Sequence, residues 1–194
     1  MPAAPPRPPR PSRPLRPLGP PRTLPDLLRP DLTLVFAGIN PGVYSARASH
    51  YYAHPGNGFW RALAGAAVEP ADDRRLPLDC GISFTDVVKR VVTDSTEVSA
   101  RALRAAFPAF RRRIAYARPR ALCFTTTRAF DALFPGLRAP GAWGRQPAVL
   151  EGAELWAMPS TSGRAAARRD EVHRVLTELA RSLAPAHGAG PAAR

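Results

Sequence analysis

The sequence predicts an α/β domain, a sheet of buried strands covered by helices on both faces. Apolar runs of strand length, such as LTLVFAGI at 32–39, alternate along the chain with segments whose apolar residues recur at helical spacing. The strand-like runs are continuous, as expected where both faces of a parallel strand are buried. Length fixes the rest: 194 residues, 45% of them apolar, suffice for one full core and are too few for two.

Taken in order, residues 1–24 form a Pro- and Arg-rich segment, with five arginines and no acid before Leu24. Such a stretch cannot bury enough apolar surface to offset its ordering entropy, so a disordered, partly polyproline II tail is expected. It is either a plain extension or a non-specific clamp on phosphates. The folded domain is expected over 25–184, and PAHGAGPAAR at 185–194 as a flexible tail. Within the domain, 32–39 reads as a strand and NGFWRALAGAA at 57–67 as a helix. Residues 98–117 read as a helix that Pro108 breaks or kinks. RALCFTTT at 120–127 is a second strand, followed by the short helix RAFDALF. Residues 147–160 look like a hairpin turning at Glu151 and Gly152. Residues 168–184 form an amphipathic helix with Val172, Val175, Leu176, Leu179 and Leu183 inward. Ligands of such sheets bind beyond the carboxyl ends of the strands. The loops after Ile39 and Met158 both begin there.

Net charge is +13 and the isoelectric point near 11.4, which favours a polyanionic partner such as nucleic acid. Lys89 is the only lysine among 28 basic residues. An arginine bias of that kind follows genomic base composition, so arginine-rich stretches carry reduced weight. Cys80 and Cys123 are too few for an iron–sulfur cluster or a secreted disulfide scaffold. Histidines at 50, 54, 173 and 187 have no metal-ligand spacing. A reduced, metal-free, cytoplasmic protein is expected. No apolar run approaches a membrane span, and the N-terminus lacks the apolar core of a signal peptide.

Three stretches carry chemistry. In Gly38-Ile39-Asn40-Pro41-Gly42, Gly38 permits close approach of a ligand or backbone, and Pro41 biases Asn40 to an extended conformation. The Asn40 carboxamide is then a fixed donor and acceptor that needs no ionisation. Tyr51 and Tyr52, followed by His54-Pro55-Gly56-Asn57, are either core aromatics or a base-stacking wall. Met158-Pro159-Ser160-Thr161-Ser162-Gly163-Arg164 is a small, polar loop after a strand, ending in an arginine suited to a base stack and to phosphates.

Together these blocks, with GISFTDVVKR at 81–90, resemble the mismatch-specific uracil-DNA glycosylases. That branch of the uracil-DNA glycosylase superfamily includes thymine-DNA glycosylase. The resemblance covers roughly 25–184. It implies a three-layer α/β/α sandwich with a short, mainly parallel central sheet. It implies hydrolysis of the N-glycosidic bond of a flipped uracil, most readily opposite guanine, with neither metal nor cofactor. The expected partner is double-stranded DNA containing uracil mismatches, met by a monomer, with no membrane involved. The family's water-positioning asparagine falls on Asn40. Ile39 falls where a backbone amide contacts the pyrimidine, Tyr52 where an aromatic stacks on it, and Ser45 near the pyrimidine C5, favouring uracil over thymine. The strand-penetrating loop falls on Ser160, Thr161, Ser162, Gly163 and Arg164. Ser162 stands where one branch wedges with leucine, so Arg164 is the expected plug.

Asp86 departs from the family, which more often has asparagine or lysine there. It is either the N-cap of a helix over VVKR or a carboxylate that assists the water as general base. A lyase needs an amine nucleophile, and Lys89, the only lysine, lies just outside the motif loops, so a monofunctional hydrolase is expected. The alternative is a catalytically weak protein that binds mismatched or abasic DNA as a damage marker. A nucleotide-binding domain is disfavoured, since no phosphate-binding glycine fingerprint precedes a helix.

Overall fold

The computed structural model describes residues 23–66 and 73–184. Apart from Thr23 and Leu24, the expected tails at 1–24 and 185–194 lie outside the described residues. Leu24 is packed: its side chain is only 2% exposed, and its carbonyl accepts from Lys89 Nζ. Unlike the prolines and arginines before it, a leucine repays ordering by burial.

Five strands form one sheet: β1 (Leu34–Gly38), β2 (Ile82–Asp86), β3 (Ala121–Phe124), β4 (Gly144–Leu150) and β5 (Ala153–Ala157). Their spatial order is β2-β1-β3-β5-β4, with β4 alone antiparallel to its neighbour. The β4–β5 turn is the expected hairpin. Glu151 and Gly152 both take positive φ, 51° and 84°, as a tight two-residue connection requires.

Successive strand residues point to opposite faces, and here both faces are covered. Leu34 and Phe36 of β1 join Ala121 and Cys123 of β3 in one apolar cluster, and Val35 and Ala37 join Leu122 and Phe124 in the other. The first cluster is closed by α2 (Phe59–Gly65), α3 (Leu76–Asp79) and α6 (Arg169–Leu183). The second is closed by α4 (Ala100–Ala117) and α5 (Thr127–Leu133). This is the expected three-layer α/β/α architecture. The four inward residues named first in the terminal helix are buried, and Leu183 packs at the edge of the cluster.

Of the break or kink expected at Pro108, the break does not occur: α4 runs as one helix through it. Proline removes one backbone donor, but Pro108 and Arg104 four residues earlier are both exposed, where solvent can serve the freed carbonyl. Leu103, Phe110 and Ile114 anchor the helix on the opposite side. The loops also contain more helix than expected, since α1 (Val43–Ala48) and α3 occupy six and four residues. Both are too short for a helical period to show in sequence. Among the described residues no helix is long and apolar enough to cross a membrane.

Candidate active site

The site grows from the parallel pairing of β1 with β2. Gly38 stands opposite Asp86 at the carboxyl ends of the two strands, and the backbones stay joined beyond them. Val87 N donates to Gly38 O and Val88 N to Ile39 O, both at 2.9 Å, and Gly42 bridges to Val92. The Asn40 loop is therefore pinned to the segment after Asp86 from end to end. This pinning holds Asn40 on the segment that leads out of Asp86.

This pairing removes the capping reading of Asp86. It is the last residue of β2, and 87–94 form bends and a bridge, so there is no helix for it to cap. Val87 and Val88 spend their backbone donors on the Asn40 loop. Asp86 is 4% exposed, and its Oδ2 has no hydrogen-bond partner among the described residues. Burial pushes its carboxyl up to about 7; Asp26 adds to the rise, and Lys89 and Arg113 oppose it.

Asn40 presents a second buried acceptor. Its Nδ2 donates to Pro41 O at 2.9 Å, which leaves Oδ1 buried and without a partner among the described residues. The opposite amide orientation would set two oxygens face to face, so the bond fixes which atom is the acceptor. Asn40 Oδ1 and Asp86 Oδ2 are each an open acceptor at the end of paired strands, able to take a proton from a donor such as water.

Gly38 leaves room for this arrangement. A methyl group on it would lie 2.3 Å from Asp86 Oδ1 and 3.8 Å from the Tyr52 hydroxyl, so all three residues meet there. Gly38→Ala is expected to displace the Asp86 carboxylate and lower the excision rate by at least roughly tenfold while the fold survives. Single-turnover rates beside thermal melts check it; an unchanged rate would mean that the carboxylate position is irrelevant.

Tyr52 is held from several sides. Its ring stacks on Phe59, with centroids 4.1 Å apart and planes 22° apart. Its hydroxyl donates to Thr125 Oγ1 at 3.1 Å, which itself donates to Ala37 O at 3.3 Å. Burial and the nearby Asp86 hold the phenol well above its usual range, so it stays protonated. The backbone at Tyr52 takes φ of 53°, a left-handed conformation that costs a tyrosine about 1 kcal/mol. The peptide before it is clamped to maintain that conformation: Tyr51 N donates to buried Asp73 Oδ2 at 2.7 Å, and Trp60 Nε1 donates to Tyr51 O at 2.8 Å. Tyr51 itself is a core residue, 2% exposed. Ser45 lies on α1 and its hydroxyl accepts from Ala53 N at 3.2 Å, which ties that helix to the tyrosine loop. Ile39 is buried, with its carbonyl spent on Val88.

The second motif loop docks on the same segment. Thr161 O accepts from Gly58 N at 2.8 Å, and Ser160 Oγ accepts from Ser162 N at 3.2 Å. Gly163 passes so close to Gly56 that a methyl group would sit 3.1 Å from its carbonyl oxygen. Arg164 lies within the tight turn Gly163–Arg168, and its side chain falls outside the described residues. A groove of about 370 Å³ opens beside the loop, lined in part by Arg61, Arg169 and His173; its lining includes neither Asn40 nor Asp86.

A family model of the uracil DNA glycosylase superfamily matches residues 25–184. The chain belongs to the uracil DNA glycosylase superfamily. It is accordingly a DNA glycosylase, an N-glycosidic bond hydrolase of DNA repair that acts on DNA. Among solved structures it is similar to the solution NMR structure of a "putative Uracil DNA glycosylase from Methanosarcina acetivorans". The two share 23% identity over 82% of this chain and 98% of that one, with a TM-score of 0.48. In this glycosylase no group of three or more His, Cys, Asp or Glu among the described residues could hold a metal ion. Sequence reasoning missed Asp26, Asp73, Arg113 and Thr125, which reach the site only through long-range contacts.

Proposed function

We propose that this glycosylase removes uracil from double-stranded DNA, preferentially from G·U mismatches, as a monofunctional, monomeric member of the mismatch-specific branch. The observation that carries the reading is the pair of unpartnered buried acceptors, Asn40 Oδ1 and Asp86 Oδ2, at paired strand ends beside Tyr52. Flipping costs a few kcal/mol and is cheapest at a mismatched pair, which gives selectivity before chemistry begins. The flipped uracil stacks on Tyr52, backed by Phe59, against the backbone of Gly38 and Ile39. Ser45 lies at its C5 and disfavours the thymine methyl. Ser160, Thr161, Ser162, Gly163 and Arg164 enter the duplex, Arg164 filling the vacated place in the stack.

Chemistry then follows from the two acceptors. Asn40 orients a water towards C1′, and Asp86 takes its proton as the C1′–O bond forms. The C1′–N1 bond breaks with its electron pair leaving on the uracil. A carboxylate also steadies the positive charge that develops on the sugar. A carboxyl that titrates near 7 is about half ionised at neutral pH, close to the best compromise for a general base.

Lys89 supports hydrolysis over a lyase route. Its ammonium donates to Leu24 O, Asp26 Oδ1 and Tyr51 Oη, so its three N–H bonds are engaged. Borohydride should therefore trap no covalent adduct with DNA during turnover; a trapped adduct lost in Lys89→Gln would overturn the assignment. The deciding assay is single-turnover excision of U, T, hypoxanthine and xanthine from matched, mismatched and single-stranded DNA. Fastest release of uracil opposite guanine is expected. Tight binding to an abasic duplex without excision would favour a damage-marking protein.

A further inference from the structure

Beneath Asp86 lies a cluster of charges from four parts of the chain. Asp26 precedes β1, Thr85 belongs to β2, Lys89 follows it, and Arg113 projects from α4. Asp26 sits at the centre. Its Oδ1 accepts from Lys89 Nζ at 3.0 Å and from Thr85 Oγ1, and its Oδ2 lies 3.3 Å from Arg113 Nε. Each of the three ion-pair members is 21–23% exposed, so the cluster is shielded from water on most sides. Arg113 reaches further: its Nη2 donates to Asp86 O at 2.7 Å and Val87 O at 3.3 Å, gripping the exit of β2. Lys89 meanwhile holds the Tyr51 hydroxyl, which also donates to Pro25 O.

We propose that Asp26 is a positioning residue for Asp86: it anchors Arg113, which grips the exit of β2, and Lys89, which follows that exit, and it offsets the charge that the two cations bring near the carboxylate. The inference rests on the reading of Asp86 as the base. Two cations beside a buried carboxylate would by themselves hold it ionised but turn it into a weak base. The Asp26 carboxylate, paired with both cations, restores basicity without removing Arg113's backbone grip. The remaining ionisable groups facing Asp86 are Tyr51 and Tyr52, and burial holds both phenols neutral. Asp26, Lys89 and Arg113 are therefore the charges that set its behaviour.

The test uses charge of both signs. Asp26→Asn keeps an acceptor for Thr85 and removes the negative charge; Lys89→Gln removes one positive charge. The Asp86 carboxyl is followed by carbon-13 NMR against pH, with Asp86→Asn assigning the signal, and single-turnover excision is profiled over the same range. Asp26→Asn should move the titration and the acid limb of the rate to lower pH by at least ~0.5 pH unit, and Lys89→Gln should move both upward. A merely structural role would not shift the two variants in opposite directions, and either variant reads alone if the other fails to fold. Titrations unmoved, or moved the same way, with an intact Asp86-dependent limb would overturn the proposal and leave the base assignment standing. Opposite shifts without any Asp86-dependent limb would support the cluster's action and overturn the base assignment instead.

Discussion

Asp86→Asn is expected to slow uracil excision by roughly 10²-fold at pH 8 and to abolish the acid limb of the pH–rate profile. General-base assistance is worth ~10²–10⁴-fold, and asparagine keeps the shape of the side chain while losing its basicity. In the parent protein the rate should rise with pH up to about 7, where the buried carboxyl ionises, and level off above. The same substitution should stabilise the fold. A carboxyl raised from 3.8 to about 7 contributes stability that is complete below its ordinary value and is lost as pH climbs through 7. Asparagine removes that loss, so at pH 8 the variant should be the more stable protein, by a margin on the order of a few kcal/mol. Slower chemistry in a more stable fold is the mark of a group kept for function at a cost to the structure. Denaturant titrations at pH 5 and 8 beside single-turnover rates check both halves. A parent rate in Asp86→Asn would end the assignment.

Much of this site was readable in the sequence where the signals were local. GINPG follows a continuous apolar run, so Asn40 had to lie at a strand end, and the proline after it had to fix its backbone. The hairpin at Glu151 and Gly152 and the apolar face of α6 were equally plain, because each is a short-range pattern. Asp86 was not decided locally. Thr-Asp before VVKR has the look of a helix cap, and only the pairing of 87–92 with the Asn40 loop makes that segment extended. Asp26 gave no signal at all: it stands in a run of leucines and prolines, 59 to 63 residues from its partners on and after β2. At Pro108 a strong local rule yields in part: the helix is not broken where the proline is exposed and packing holds the other face.

Asn40→Ala is expected to remove most of the excision activity while leaving affinity for a G·U duplex within a few-fold. The carboxamide serves the water and makes no ion pair with phosphate, so encounter and flipping should survive its loss. Among the described residues its Oδ1 and the Asp86 Oδ2 are unpartnered acceptors at this strand end, and the proposed mechanism spends both on a single water. That shared target makes a quantitative demand. Two residues acting independently would lose rate multiplicatively in the double variant; two acting on one water should lose much less, because the first substitution already spoils what the second would have used. The double variant Asn40→Ala/Asp86→Asn should therefore be little slower than the worse single variant. The measurement is the single-turnover rate of all four proteins on one G·U duplex, with affinity read from an abasic duplex. A fully multiplicative loss would mean that the two side chains serve different steps. Asp86 would then act on the sugar cation or the departing base, and Asn40 alone would hold the water.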